Sequence, residues 1–255
     1  MKGISTLSIV PVRKEPSDRS EMVTQILFGE TFEITETDRQ WSKIRADYDK
    51  YTGWVDSKQV TVIDEEEAKK LAATPPSVSL DVLQLVITGK EMIPVVLGSS
   101  LPFYYGKKFF INEREYLYNG SVKTITSSDV SKIAEFAFMY INAPYLWGGR
   151  SPFGLDCSGF TQVVFKLSGI PLLRDAIQQA GQGKRIASTG EAQEGDLAFF
   201  KNEDKRIVHV GIVLNNSRII HSSGKVRIDK LDEQGILNEE SGKHTHSLAE
   251  IRRIN

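Results

Sequence analysis

Residues 143–169 read APYLWGGRSPFGLDCSGFTQVVFKLSG, and they hold the only cysteine of the chain, Cys157. Four residues after Pro144 comes a glycine-rich loop, and the loop gives way to a helical pattern at the cysteine itself. Phe160, Val163, Val164 and Leu167 recur at helical spacing, so the spacing predicts a helix with one face in a core and an open first turn. Asp156 stands at the N-cap position, and Gly169 closes the helix before Pro171. A thiol at a helix start meets free backbone N–H groups and the positive end of the helix dipole, both of which favour thiolate. A lone cysteine is more often a small buried hydrophobe. Glycines at 148, 149, 154 and 159 argue against that here, because they let a backbone approach a ligand closely.

Composition narrows the setting of this stretch. The 255 residues are 40% hydrophobic and 25% charged, an ordinary soluble globular balance long enough for one large domain or two to three small ones. With 32 basic against 33 acidic residues, the net charge of -1 offers no field to gather nucleic acid or an anionic membrane surface. One cysteine excludes an internal disulfide and any multi-cysteine zinc site. The opening residues, MKGISTLSIVPVRKEPSD, are too short in apolar run for a signal-peptide core, and nowhere do 18 apolar residues run together. The expectation is a cytoplasmic protein, or an exported one if a leader has been trimmed.

Upstream of the cysteine the pattern is β. Short apolar runs at 7–12, 25–29, 31–35, 41–45 and 53–55 alternate with turn signals, which predicts a small β-barrel over 1–63. The segments VRKEPSDRSEMVTQILFGETFEI, WSKIRA and YTGWVDSKQV resemble a bacterial SH3-like domain. DEEEAKKLAAT predicts a charged linker helix over 64–76 that stops at Pro75-Pro76. Strand signals return over 77–126, at 82–88, 93–97, 101–105, 108–111 and 116–118. Asn119-Gly120 reads as a hairpin turn, and strand spacing predicts a second, divergent barrel.

Residues 127–255 read as helices followed by an antiparallel sheet, an α+β arrangement. A helix capped by Ser127 or Ser128 precedes the cysteine loop, and strands are expected at 197–200, 208–214, 218–222, 226–231 and 250–254. His209 and His221 fall on adjacent strands of this set, where antiparallel pairing brings two imidazoles within reach of each other. A thiol nucleophile needs a base, and the base needs a polar group to fix its tautomer. Cys157, His209 and His221 can fill those roles. His244 and His246, in GKHTHS, read as a solvated loop rather than a metal site, having no partner at ligand spacing.

The segments PYLWGG, LDCSGF, EGDLAFF and VHVGIVL, followed by IIHSSG, resemble in sequence and order the NlpC family of papain-like peptidoglycan endopeptidases over residues 127–255. One departure is Glu194, where the family commonly has proline. The resemblance implies a papain-like catalytic domain, a reaction without a cofactor or metal, Cys157 as nucleophile, His209 as general base and His221 as its orienting group. It also implies that Tyr145 donates its hydroxyl to the oxyanion hole.

An SH3-like pair ahead of such a domain is similar to the γ-D-glutamyl-L-diamino-acid endopeptidase subgroup, also called dipeptidyl-peptidase VI. The implied substrate is a muropeptide with a free N-terminal L-Ala, and the implied role is recycling of cell-wall peptides. RDAIQQAGQG at 174–183 resembles the subgroup's substrate loop, with Asp175 pairing with the ammonium and Ala176 where serine is common. Glu30 and Tyr51, or Tyr48 one loop away, match positions that close the amine pocket; Trp147 would wall it and Ser158 would contact the peptide. An ammonium needs such acceptors once desolvated, and a capped alanine would leave carboxylates unpaired. Two other readings stay open: an amidase or acyltransferase using the same Cys–His pair, and a wall-binding adaptor with an inert catalytic domain.

Overall fold

In the computed structural model, residues 1–254 are described, and they divide into two compact units. One comprises Met1–Ser127 with Gly148–Pro152; the other comprises Ser128–Trp147 with Phe153–Asn255.

The first unit opens with seven strands: β1 (Lys2–Ile4), β2 (Ile9–Arg13), β3 (Met22–Leu27), β4 (Thr31–Asp38), β5 (Trp41–Ala46), β6 (Thr52–Asp56) and β7 (Thr61–Ile63). They form one antiparallel sheet in the order β3-β2-β6-β5-β4-β1-β7. Alternating positions bury Val10, Val12, Ile26, Phe32, Ile44, Ala46 and Val55 in a common core, the period-2 pattern of a half-solvated sheet. Helix α1 (Glu65–Ala73) follows. Asp64 caps it by accepting from the Glu67 N–H, and its three N-terminal glutamates suit the dipole. No α1 residue is buried, although Ala68 and Leu71 lie against the core of the next segment.

That segment holds β8 (Ser77–Ser79), β9 (Leu83–Thr88), β10 (Glu91–Val96), β11 (Lys108–Ile111), β12 (Arg114–Tyr118) and β13 (Val122–Thr124). A four-stranded sheet, β10-β9-β12-β11, stands beside a two-stranded ribbon, β13-β8. The expected hairpin at Asn119-Gly120 does not form, because β13 pairs with β8 and not back onto β12. The tight turn falls instead at Asn112-Glu113, between β11 and β12, where both residues have positive φ (48° and 63°) as a primed hairpin turn demands. The run 101–105 is not a strand. One core joins Ile4 and Ile63 of the first sheet, and Phe28 in the turn after β3, to Val86, Val95, Phe109, Tyr116 and Tyr118 of the second, so the two sheets and α1 fold as one unit.

Two two-residue strands, β14 (Arg150–Ser151) and β15 (Gly154–Leu155), bracket the loop before the cysteine. The second unit contains α2 (Ile133–Phe138), α3 (Cys157–Leu167), α4 (Ala176–Gln179), β16 (Lys184–Ile186), β17 (Leu197–Lys201), β18 (Ile207–Leu214), β19 (Arg218–Ser223), β20 (Lys225–Leu231), β21 (Gly235–Asn238) and β22 (Lys243–Arg253). The sheet runs β16-β22-β17-β18-β19-β20-β21, and β22 pairs with β21 as well. That extra pairing closes six strands, β17 to β22, into a ring, and β16 alone is left as an edge strand on β22. All eleven residues of α3 are buried, so the helix is central to its unit and not merely packed by one face. Among the described residues no helix is long and apolar enough to cross a membrane.

Candidate active site

Cys157 is the first residue of α3, as its sequence context predicts. Asp156 accepts from the Gly159 N–H at 2.7 Å, capping the helix. The same carboxylate is held bidentately by Arg174, with Nη1 to Oδ1 at 3.0 Å and Nη2 to Oδ2 at 2.6 Å. Arg174 is 1% exposed and also donates to Ser158 Oγ at 2.9 Å. Ser158 is thus buried and engaged by Arg174 and Asp156. Sequence reading did not assign Arg174 a role. Its position beside Asp175 was visible, whereas a fully buried guanidinium is unusual enough to require the structure.

The glycines around the cysteine serve the protein itself more than a ligand. A side chain at Gly148, whose φ is +75°, would meet the Met22 carbonyl oxygen at 2.3 Å, and one at Gly154 would meet Leu146 Cβ at 2.7 Å.

The Cys157 thiol is buried, and burial pushes it up to about 12, with the Asp156 charge adding to the effect; backbone N–H groups of Val210 and Ser158 and the Arg174 charge pull the other way. Val210 follows His209 in β18 and precedes Gly211, where the β18–β19 ladder begins opposite His221. Among the described residues no hydrogen bond joins the thiol to the His209 ring; the thiol meets β18 at the Val210 backbone, one residue along from His209.

His209 and His221 meet directly. His209 Nε2 lies 2.9 Å from His221 Nδ1, with the rings at 87°. Register explains the meeting: His209 and Gly211 share a face of β18, and Gly211 is opposite His221. A Cβ on Gly211 would stand 2.8 Å from His221 Cβ and 2.7 Å from Ile219 Cδ1, so only glycine leaves room for the second imidazole. Burial, then the neighbouring His221 and His246, hold His209 well below its ordinary value, so the ring is neutral at pH 7.

Two further groups were missed. Asp229, 1% exposed on β20, places Oδ2 3.1 Å from His221 Nε2. A carboxylate two residues before Leu231, in phase with the inward face of a strand beside that of His221, was the available signal. His246 stacks on His209, centroids 4.2 Å apart and planes at 28°. The expectation of a solvated loop for GKHTHS fails, since Lys243–Ser247 lie in β22. A bulge between Ile236 and Leu237 pairs them with His246 and His244 respectively, so the two histidines point to opposite faces. His244 meets Asp232 at 2.8 Å, whereas His246 faces inward and is held down to about 4 by burial and His221, against the pull of Asp229. Among the described residues no group of three or more potential ligands could hold a metal ion.

Tyr145 lies near the thiol. Burial, then the Cys157 and Asp156 charges, raise its phenol to about 12, which keeps it a hydrogen-bond donor at neutral pH. Trp147 is 61% exposed. Asp175 caps α4 and is half-buried; its backbone N–H donates to Gln178 Oε1 at 3.0 Å. Within the first unit, Glu30 is buried and accepts from the Leu27 N–H at 2.9 Å and from Arg150 Nη1 and Nη2 at 2.8 and 3.1 Å. Tyr51 and Tyr48 are both partly exposed near the end of β5, and the Tyr51 carbonyl accepts from the Ala46 N–H.

Comparison with known proteins agrees with this architecture. Residues 142–243 match the NlpC/P60 family, and residues 12–60 match the bacterial dipeptidyl-peptidase Sh3 domain. A Gamma-D-glutamyl-L-lysine dipeptidyl-peptidase of Bacillus cereus is 24% identical over 252 residues, covering 89% of this chain and 75% of the relative. A Dipeptidyl-peptidase 6 of Lysinibacillus sphaericus is 28% identical over 261 residues, covering 92% and 93%. The crystal structure of an NlpC/P60 family protein from Bacillus cereus superposes with a TM-score of 0.84 at 20% identity, covering 100% of this chain and 99% of that one, a likeness of fold. The chain therefore carries an NlpC/P60 domain together with a bacterial dipeptidyl-peptidase SH3 domain.

Proposed function

We propose that the protein is a cysteine peptidase that hydrolyses the bond between γ-D-Glu and the diamino acid of muropeptides bearing a free N-terminal L-Ala. The observation that carries this reading is the joining of a thiol at a buried helix start to a strand whose His209 is hydrogen-bonded to His221. Names of relatives that span most of the chain support the substrate class.

In this reading Cys157 and His209 rest as neutral thiol and neutral imidazole. His209 takes the thiol proton as Sγ attacks the γ-carbonyl, and the tetrahedral oxyanion is met by the Tyr145 hydroxyl and the Cys157 N–H. The Cys157 N–H, at the first position of α3, has no intrahelical carbonyl to donate to and is assigned to that oxyanion. Collapse breaks the C–N bond; His209 returns its proton to the leaving amine, and water then hydrolyses the thioester by the same route. Asp175 is assigned to the ammonium of L-Ala. Trp147 and Ser158 are assigned to contact the peptide. The 77–126 segment is read as a divergent second SH3-like domain, the catalytic fold as papain-like, and the role as cytoplasmic recycling of wall peptides.

Acetylating the L-Ala amine tests the selectivity. The expected result is loss of most of kcat/KM, about 10⁴-fold, as for a buried polar site left without its partner. Equal rates on free and acetylated peptides would remove Asp175 from amine recognition.

A further inference from the structure

We propose that Asp229 is a positioning residue which, acting through His221, fixes which nitrogen of His209 is free to take the thiol proton. This rests on the reading of His209 as the base. The residues concerned lie along one face of the ring. Gly211 of β18 is opposite His221 of β19, His221 is opposite Arg227 of β20, and Asp229 follows two residues later on the same face.

Asp229 receives four contacts. Arg227 Nε lies 2.7 Å from Oδ2 and Arg227 Nη2 3.0 Å from Oδ1; the Glu239 N–H donates to Oδ1 at 3.1 Å, and His221 Nε2 lies 3.1 Å from Oδ2. The arginine and backbone groups can only donate, so the carboxyl sits among donors and is held as the acceptor-only carboxylate. Desolvation alone would raise its proton affinity, yet the His221 and Arg227 hydrogen bonds outweigh it and leave Asp229 near 2.

Facing a carboxylate, His221 Nε2 must carry hydrogen. With that as its one ring hydrogen, His221 has a bare Nδ1, which can only accept, and the atom 2.9 Å away is His209 Nε2. His209 therefore carries its hydrogen on Nε2 and keeps a lone pair on Nδ1. The base is set two hydrogen bonds away from the carboxylate that sets it. Neutral amide in place of Asp229 can offer N–H to His221 Nε2 and reverse every link, putting hydrogen on His209 Nδ1, where it blocks proton uptake.

Long-range ¹H–¹⁵N correlation spectra of the full chain, uniformly ¹⁵N-labelled, read the imidazole tautomers at pH 7.5 without any substrate. The expected result is a His209 resonance of the Nε2–H form in the wild type. In Asp229→Asn the Nδ1–H form gains population, and kcat on L-Ala-γ-D-Glu-L-Lys falls about 100-fold while KM moves less than twofold, a milder version of the wrong-tautomer loss in serine proteases. Asp229→Glu, which keeps the carboxylate, restores the Nε2–H form. Hydrogen on His209 Nδ1 in the wild type overturns the proposal, as does an unchanged His209 tautomer in folded Asp229→Asn. Should Asp229→Asn not fold, the wild-type spectrum decides alone. A wild type with the expected tautomer that cleaves no muropeptide would instead sink the functional reading and leave the relay standing.

Discussion

At Cys157 a helix start and the Val210 N–H favour thiolate, but removal from water and the nearby Asp156 charge win and hold the proton on sulfur. His209 is held neutral for the same reason, so the resting pair is thiol and imidazole and not an ion pair. The sign of the pH dependence follows. With His209 as the proposed base, turnover needs it unprotonated, and its proton affinity is depressed below the ordinary 6.5. A profile of kcat/KM should be flat from pH 6.5 to 7.5 and fall only in acid; a tenfold rise across that interval would contradict the protonation state assigned here. The groups facing the His209 ring are His221 from β19, His246 from β22 and Phe200 from β17. His246→Ala removes one of the neighbours that depress His209, so the acid limb should move to higher pH, whereas His246→Phe should keep the stack and restore the rate. Glu30 makes a separate prediction. Its loss strands the Arg150 charge, 3% exposed, and Glu30→Ala should destabilise by about 3–5 kcal/mol in thermal or denaturant unfolding. Stability unchanged within 1 kcal/mol would show that the pair does not hold the unit together.

Strand β18 shows what an element contributes. Its register puts His209 and Gly211 on one face, and the missing side chain at 211 is the space that His221 occupies. Gly211→Ala should cost about 1–3 kcal/mol by overpacking and lower kcat by displacing His221 from its 2.9 Å contact; a variant with wild-type kcat would show that the ring tolerates the methyl. Periodicity made most of these elements legible. The alternation of VHVGIVL and IIHSSG named both histidines, and Asp156 with Gly169 marked both ends of α3. Features that depend on how distant segments meet were not legible. A bulge in β22 sends His246 inward and His244 outward, which strict alternation of H-x-H denies. Asn119-Gly120 carries the strongest hairpin dipeptide of the chain, yet pairing of β13 with β8 overrides it. Burial on all sides of α3 hides Gln162 and Lys166 as well as its apolar residues, which no periodic pattern within the helix predicts.

Across the whole molecule, two compact units divide the labour of folding differently. The Met1–Ser127 unit rests on two sheets sharing an apolar core, and the second unit closes a six-strand ring around polar histidines at one end and an apolar cluster of Phe200, Val213, Ile219, Leu231, Ile236 and Ile251. His209 and His246 enter that ring uncharged. Unfolded, both would bind protons near pH 6.5, so the stability present above that value should be lost as pH falls below it, visible as a lower Tm at pH 5 than at pH 7; an equal Tm would mean that the ring accepts the charge. The SH3 and NlpC/P60 assignments were legible because several short motifs agree in order, while the Asp229 and Arg174 networks join residues that no single motif contains. The central claim is that the Cys157 thiol, served by His209, cuts behind γ-D-Glu. Mass spectrometry of a digest of L-Ala-γ-D-Glu-L-Lys tests it most directly: wild-type protein should yield L-Ala-γ-D-Glu and free lysine and Cys157→Ala neither, whereas an uncut peptide with the wild type, or the same products from the variant, would contradict it.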